Sequence, residues 1–111
     1  MSFRVILSTP DKTWHDGPVD SLVGPGLNGR FGVLTRHAPM IMALETGILV
    51  LREAGGQAMF AIGDGVAEVT GEQVTLTVDE VRPARDPADA EGKLQELKAA
   101  RYRPAIGGGT P

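Results

Sequence analysis

At 111 residues, 41% of them hydrophobic, the chain suits one small globular domain with a short appendage. A net charge of −3 provides no global basic field for nucleic acid or anionic lipid, and zero cysteines exclude disulfides and thiolate chemistry and fit a reducing compartment. No apolar run approaches the roughly 18 residues of a membrane span, so any work at a membrane is expected to run through protein partners rather than lipid insertion.

Met1-Ser2-Phe3-Arg4 enters a strand pattern directly, which reads as an N-terminus without a signal peptide. Phe3, Val5 and Leu7 alternate with Arg4 and Ile6 until Thr9-Pro10-Asp11 turns the chain. Val19, Ser21 and Val23 read as a second strand and Arg30 to Leu34 as a third, with Phe31 and Val33 alternating against Arg30 and Gly32. Ala38 is forced extended by Pro39. Met40 to Leu44 and Ile48 to Arg52 are apolar runs, and Gly55-Gly56 joins the second to Ala58–Ile62 as a hairpin. Gly63-Asp64-Gly65 turns into Val66–Val69, and Thr70-Gly71-Glu72 into Val74, Leu76 and Val78, with Thr75 and Thr77 on the opposite face. Short strands at about 8–12-residue spacing with glycine turns predict an all-β sandwich or barrel.

After Val81 the composition changes. Residues 82–86 read as a linker, and Asp86-Pro87 as a helix start, a capping side chain followed by proline in the first turn. The predicted helix covers 87–103, with Ala90, Leu94, Leu97 and Arg101 on one face, Gly92 weakening it and Pro104 ending it. Residues 104–111 form a glycine-rich tail without core-forming capacity. The organisation is therefore a sandwich domain over 1–81, a linker, one short helix and a tail.

Candidate chemistry is sparse. Gly24-Pro25-Gly26-Leu27-Asn28-Gly29 has the dinucleotide fingerprint spacing, but the pyrophosphate would need a helix N-terminus, and Arg30–Leu34 continues as a strand. His15 and His37 are the only histidines, too few for a convergent metal site with isolated carboxylates; His15 reads as a turn residue and His37 as a backbone-bonded residue at a strand end. Ser8 and Ser21 sit on no nucleophile elbow. No catalytic, cofactor or metal residues are assigned. Trp14 is either a lid on the open end of the sandwich or an exposed anchor. Met40 and Met42 share one face of an extended segment and Ile41 the other; pattern alone leaves open which face is core and which meets a partner.

The run Gly29-Arg30-Phe31-Gly32-Val33-Leu34-Thr35-Arg36-His37-Ala38-Pro39, followed by Gly47, resembles the signature of the epsilon subunit of F-type ATP synthases, called delta in mitochondria. Phe60-Ala61-Ile62-Gly63-Asp64-Gly65 and the Val74–Val78 strand support the resemblance, which runs from about Phe3 to Val81. It implies a two-layer sandwich of about ten strands at the foot of a rotating central stalk, a non-enzymatic adaptor that couples ion translocation to ATP synthesis. The implied partners are the gamma subunit and the c-ring, with the alpha/beta hexamer touched only indirectly. The complex would sit peripherally on the cytoplasmic face of an energy-transducing membrane. By the same resemblance Pro25, Gly26, Leu27, Asn28, Gly29 and Arg30 face the c-ring, and His37, Ala38, Pro39, Met40 and Met42 face gamma. The family often carries an acidic residue where Arg30 stands, so an acidic partner group is expected opposite it. Family members usually end in two inhibitory helices, some with an ATP-binding Asp-x-x-Arg motif. One weak helix, and no arginine in the required place after Asp86, imply weak or absent autoinhibition and speak against an ATP-sensing role. The competing reading is a free-standing ligand-binding sandwich, which 5% aromatic content disfavours.

Overall fold

The computed structural model of the chain describes residues 2–33 and 38–101. The alternating runs become strands because each places one row of apolar side chains on a face that another layer can cover. They are β1 (Phe3–Thr9), β2 (Lys12–Val19), β3 (Ser21–Gly26), β4 (Gly29–Val33), β5 (Met40–Leu44), β6 (Gly47–Glu53), β7 (Gly56–Ile62), β8 (Gly65–Thr70), β9 (Gln73–Val78) and β10 (Val81–Ala84). One helix, α1 (Pro87–Arg101), follows.

The strands join in the order β10-β7-β6-β3-β5-β8-β9-β1-β2, with β4 paired to β3 off that path. β1 and β9 run parallel; the other ladders are antiparallel. The sheet doubles over on itself. His15 of β2, at one end of the order, meets Phe60 of β7 and Glu53 of β6 near the other. Two layers result, closed on a core of Val5, Leu7, Leu22, Leu49, Ile62 and Leu76 with their neighbours. Over the described residues the protein is an all-β sandwich of ten strands with a single C-terminal helix, as its sequence predicts.

Two boundaries differ from the sequence reading, and a third is not reached. Lys12–Val19 is a strand of its own, so His15 lies inside β2 rather than in a turn. β2 is an edge strand whose only fully buried residue is Val19, and such a strand leaves no alternation to read. Arg82, Pro83 and Ala84, read as linker, pair with Ala61, Phe60 and Met59 to form β10. Proline is tolerated there because β10 is an edge strand. The helix is described to Arg101, and the expected helix end at 103, Pro104 and the tail lie outside the described residues.

The helix begins where its cap predicts. Asp86 Oδ1 accepts the Asp89 N–H at 2.8 Å, Asp89 Oδ2 accepts the Arg85 N–H at 2.9 Å, and the Ala90 N–H bonds the Asp86 carbonyl. The Arg85 main chain and guanidinium together hold the Asp89 carboxyl below the usual carboxylate range. Leu94 and Leu97 pack on Ala61 and against Ile48, so the narrow stripe is enough to dock the helix on β6 and β7. Arg101 closes the far end with a bidentate pair to Asp79, at 3.0 and 2.6 Å. A Cβ on Gly63 would overlap Asp79 Oδ1, and one on Gly65 would overlap the Thr77 carbonyl. The Gly-Asp-Gly turn is thus a packing requirement. Asp64 between them accepts both the Thr46 N–H and the Thr46 hydroxyl, tying this turn to the β5–β6 connection.

Two glycine substitutions should move stability in opposite directions. Gly92 has open space around its would-be Cβ and no positive φ, so Gly92→Ala is expected to raise stability by about 0.5–1 kcal/mol. Gly65→Ala forces backbone apart and is expected to lower it by about 1–3 kcal/mol. Urea unfolding of the two variants reads both signs.

Candidate partner interface

Glycines aim the hairpin formed by β3 and β4. Gly24 gives way to the Phe31 ring, whose Cζ would lie 2.9 Å from a Cβ there; a Cβ on Gly26 would stand 3.0 Å from the Gly29 carbonyl. Gly47 gives way to the Pro25 ring, which lies 2.5 Å from its would-be Cβ. Gly29 takes φ 110° and lets the chain reverse through Leu27-Asn28. The Gly-x-Gly-x-x-Gly spacing therefore builds a hairpin and places an aromatic ring, with no helix N-terminus behind it.

β5 joins this hairpin at one point only, the Gly26–Leu44 pairing. There the Glu45 N–H donates to the Pro25 carbonyl at 2.8 Å and the Leu27 N–H to the Ala43 carbonyl at 3.4 Å. β4 holds the opposite edge of β3, and along Met40–Ala43 β5 keeps only β8 as strand partner among the described residues. A groove of about 460 Å³ opens between the hairpin and β5, lined by residues 26–31 and 40–43. It brings together most of the two residue sets that the sequence assigns to two partners: Gly26, Leu27, Asn28, Gly29 and Arg30 on one wall, Met40 and Met42 on the other.

Register decides which side chains face out. Leu44 is buried, so Met42, in phase with it, turns inward; Met42 is half-buried and packs against the core. Ile41 turns outward and is 72% exposed, with Leu27 at 62%, Val66 at 48% and Met40 at 37%. Ile41 is thus the exposed apolar residue that the sequence reading passed over. The phase with Leu44 was the available signal. Ala38 and Pro39 are exposed beside it, Pro25 is half-buried against Gly47, and His37 lies outside the described residues. Arg30 is exposed, on the outer face of β4, and makes no ion pair with a described residue.

The other sequence candidates have structural roles. His15 is bonded through both ring nitrogens, Nδ1 to the Val5 carbonyl and Nε2 to Glu53, each at 3.0 Å. Trp14 packs on the core and donates Nε1–H to Thr9 Oγ1 at 3.0 Å, while the Lys12 ammonium stands 3.9 Å over its ring. It is a lid. Arg4 and Asp16 form a bidentate cross-strand pair, and that hydrogen bonding holds the Asp16 carboxyl below its ordinary range. Among the described residues no group of three His, Cys, Asp or Glu is placed to hold a metal ion. A second cavity, of about 570 Å³, lies between Leu27, Glu45, Thr46, Asp64 and Lys98 of the helix.

The family described as ATP synthase, delta/epsilon chain, beta-sandwich domain, matches residues 2–84. That span ends with β10, not before it. The ATP synthase epsilon chain of Thermosynechococcus vestitus is 37% identical over 101 residues, which cover 91% of this chain and 71% of the relative. That of a Cyanothece species is 32% identical over 134 aligned residues, covering 98% of this chain and 97% of the relative. A chain in the cryo-EM structure of the Euglena gracilis mitochondrial ATP synthase superposes with TM-score 0.71 at 24% identity, over 94% of this chain and 69% of that one. One in the central stalk/c-ring structure of the Tetrahymena thermophila enzyme superposes with TM-score 0.62 at 15% identity, over 87% and 89%. The two structural likenesses establish a shared fold.

Gly47→Ala should displace Pro25 and with it the hairpin. The expected result is a loss of about 1–3 kcal/mol together with amide chemical-shift changes concentrated at residues 25–31.

Proposed function

The chain belongs to the ATP synthase delta/epsilon family, and we propose that it serves as a non-catalytic central-stalk subunit that links the gamma subunit to the c-ring. The observation that carries this reading is the groove and its exposed apolar rim. Leu27, Met40, Ile41 and Val66 stand in water on one part of the sandwich, in a chain of −3 net charge whose other candidate sites resolve into packing and hairpin contacts. Such residues are stable in an assembled complex, where a partner covers them. Torque passes through a rigid two-layer sandwich better than through loops, which suits an adaptor. Among the described residues no helix is long and apolar enough to cross a membrane; in this reading attachment goes through protein partners. The subunit then sits peripherally, at the cytoplasmic face of the energy-transducing membrane, and meets the alpha/beta hexamer only indirectly.

In this reading the hairpin stretch Pro25 to Arg30 faces the polar loops of the ring, and the segment Ala38–Met42 faces gamma. Arg30 also lines the groove beside Met40 and Met42, and His37 belongs to the gamma side. The helix regulates weakly or not at all: it is docked through Leu94 and Leu97 and pinned by Arg101 to Asp79.

Substituting the outward and inward residues of β5 separates surface from core. Ile41→Asp is expected to fold normally, because its side chain is 72% exposed, and to lose co-purification with gamma. Met42→Asp puts a carboxylate against the core and is expected to lose several kcal/mol of stability before binding is reached. Pull-down with gamma, alongside circular dichroism of the free variants, distinguishes the two. A folded Ile41→Asp chain that retains gamma in full would remove this face from the reading.

A further inference from the structure

The main chain of β5 carries an inference of its own. In an antiparallel strand the N–H and C=O of one residue point to the same side, and the side alternates along the strand. The Ala43 carbonyl and the Glu45 N–H both bond β3, so the groups of Ile41, two residues earlier, point the same way, into the groove. Ile41 has Glu68 opposite it on β8 and no strand partner on the groove side among the described residues. β4 holds the opposite edge of β3 and offers Ile41 no ladder. The β5 edge at Ile41 thus lies open beside the hairpin, and Phe31 and Met42 are the apolar residues of the groove that pack on the core. An unpaired, partly apolar strand edge is a template for another extended chain.

We propose that the groove takes an extended segment of its partner subunit as an added strand, hydrogen-bonded to the β5 edge at Ile41. The chemistry of that segment follows from the alternation of the two walls. Its inward side chains are apolar, because they rest on Phe31 and Met42. Its outward side carries a carboxylate within reach of Arg30, the exposed cation of β4 that no described residue neutralises. Charge complementarity and strand addition thereby select the same occupant, and a single segment can satisfy both, since Arg30 and Ile41 line one groove. The inference rests on the reading above that this face meets gamma, and it adds the mode of contact.

The test compares two substitutions at one residue, measured as affinity for the gamma subunit of the same synthase. Ile41→Ala and Ile41→Pro both remove the exposed side chain, but only proline removes the N–H. Because proline is tolerated on a strand edge, both variants are expected to fold. Strand addition predicts that Ile41→Pro binds about tenfold or more weakly than Ile41→Ala, the cost of leaving a partner carbonyl unbonded. Arg30→Ala should weaken binding further, with a loss that shrinks at high salt. Equal affinities for folded alanine and proline variants would overturn the proposal. Should the proline variant not fold, hydrogen exchange at the Ile41 amide of the unaltered protein decides instead. Exchange slowed on binding gamma supports strand addition, and unchanged exchange in a formed complex refutes it. Absence of any gamma binding by the unaltered chain would instead overturn the reading of the partner, and the inference with it.

Discussion

The crossing of β3 between the two layers is the constraint on which the rest of the molecule depends. Within six residues β3 leaves β6, its partner at Ser21–Val23, and reaches β5 at Gly26. A strand that serves two layers must pass very close to its neighbours, and side chains at the crossing would hold them apart. Glycine stands at Gly24, where Phe31 presses in, at Gly26, beside the Gly29 carbonyl, and at Gly47, under the Pro25 ring. From that crossing follow the continuity of the sheet and the direction of the hairpin. The groove belongs to the same geometry: the hairpin turns back after Gly26 and leaves the β5 edge before Ala43 without β3 beside it.

Much of this was legible in the sequence because burial on one face imposes a period of two. Phe3, Val5 and Leu7 and later Val74, Leu76 and Val78 are buried in the alternation their spacing predicts. The helix was equally readable, since its cap and its stripe are local: Asp86 begins it, and Ala90, Leu94 and Leu97 are its buried residues. What escaped reading is what tertiary contact alone creates. β2 and β10 are edge strands that bury one end residue each, Val19 and Val81, so they leave no pattern. The closure by His15 and Glu53 joins residues 38 positions apart and has no local mark. The inward turn of Met42 is readable from its phase with Leu44, while Met40, in the same phase at the strand end, is 37% exposed.

The helix shows how little apolar area a docked appendage requires when a charge completes it. Two leucines meet Ala61 and Ile48, and Arg101 supplies the second point of attachment through Asp79, with Asp64 and Glu80 nearby at 3.8 and 4.0 Å. Gly63 is what lets Asp79 and Arg101 approach, so one turn serves both sheet and helix. The Gly-Asp-Gly turn that looks like a family signature in the sequence is, in the structure, the junction of two layers and a helix. Its residues act by packing and hydrogen bonding.

The central claim is that the exposed face of β5 is covered by gamma in the assembled synthase. With zero cysteines in the chain, Ile41→Cys introduces a single thiol that a photo-crosslinker can label without side reaction. Irradiation of the reconstituted complex is predicted to join position 41 to the gamma subunit. Crosslinking only to alpha or beta, or a label left in solvent and reacting with nothing in a complex shown to contain gamma, would contradict the account.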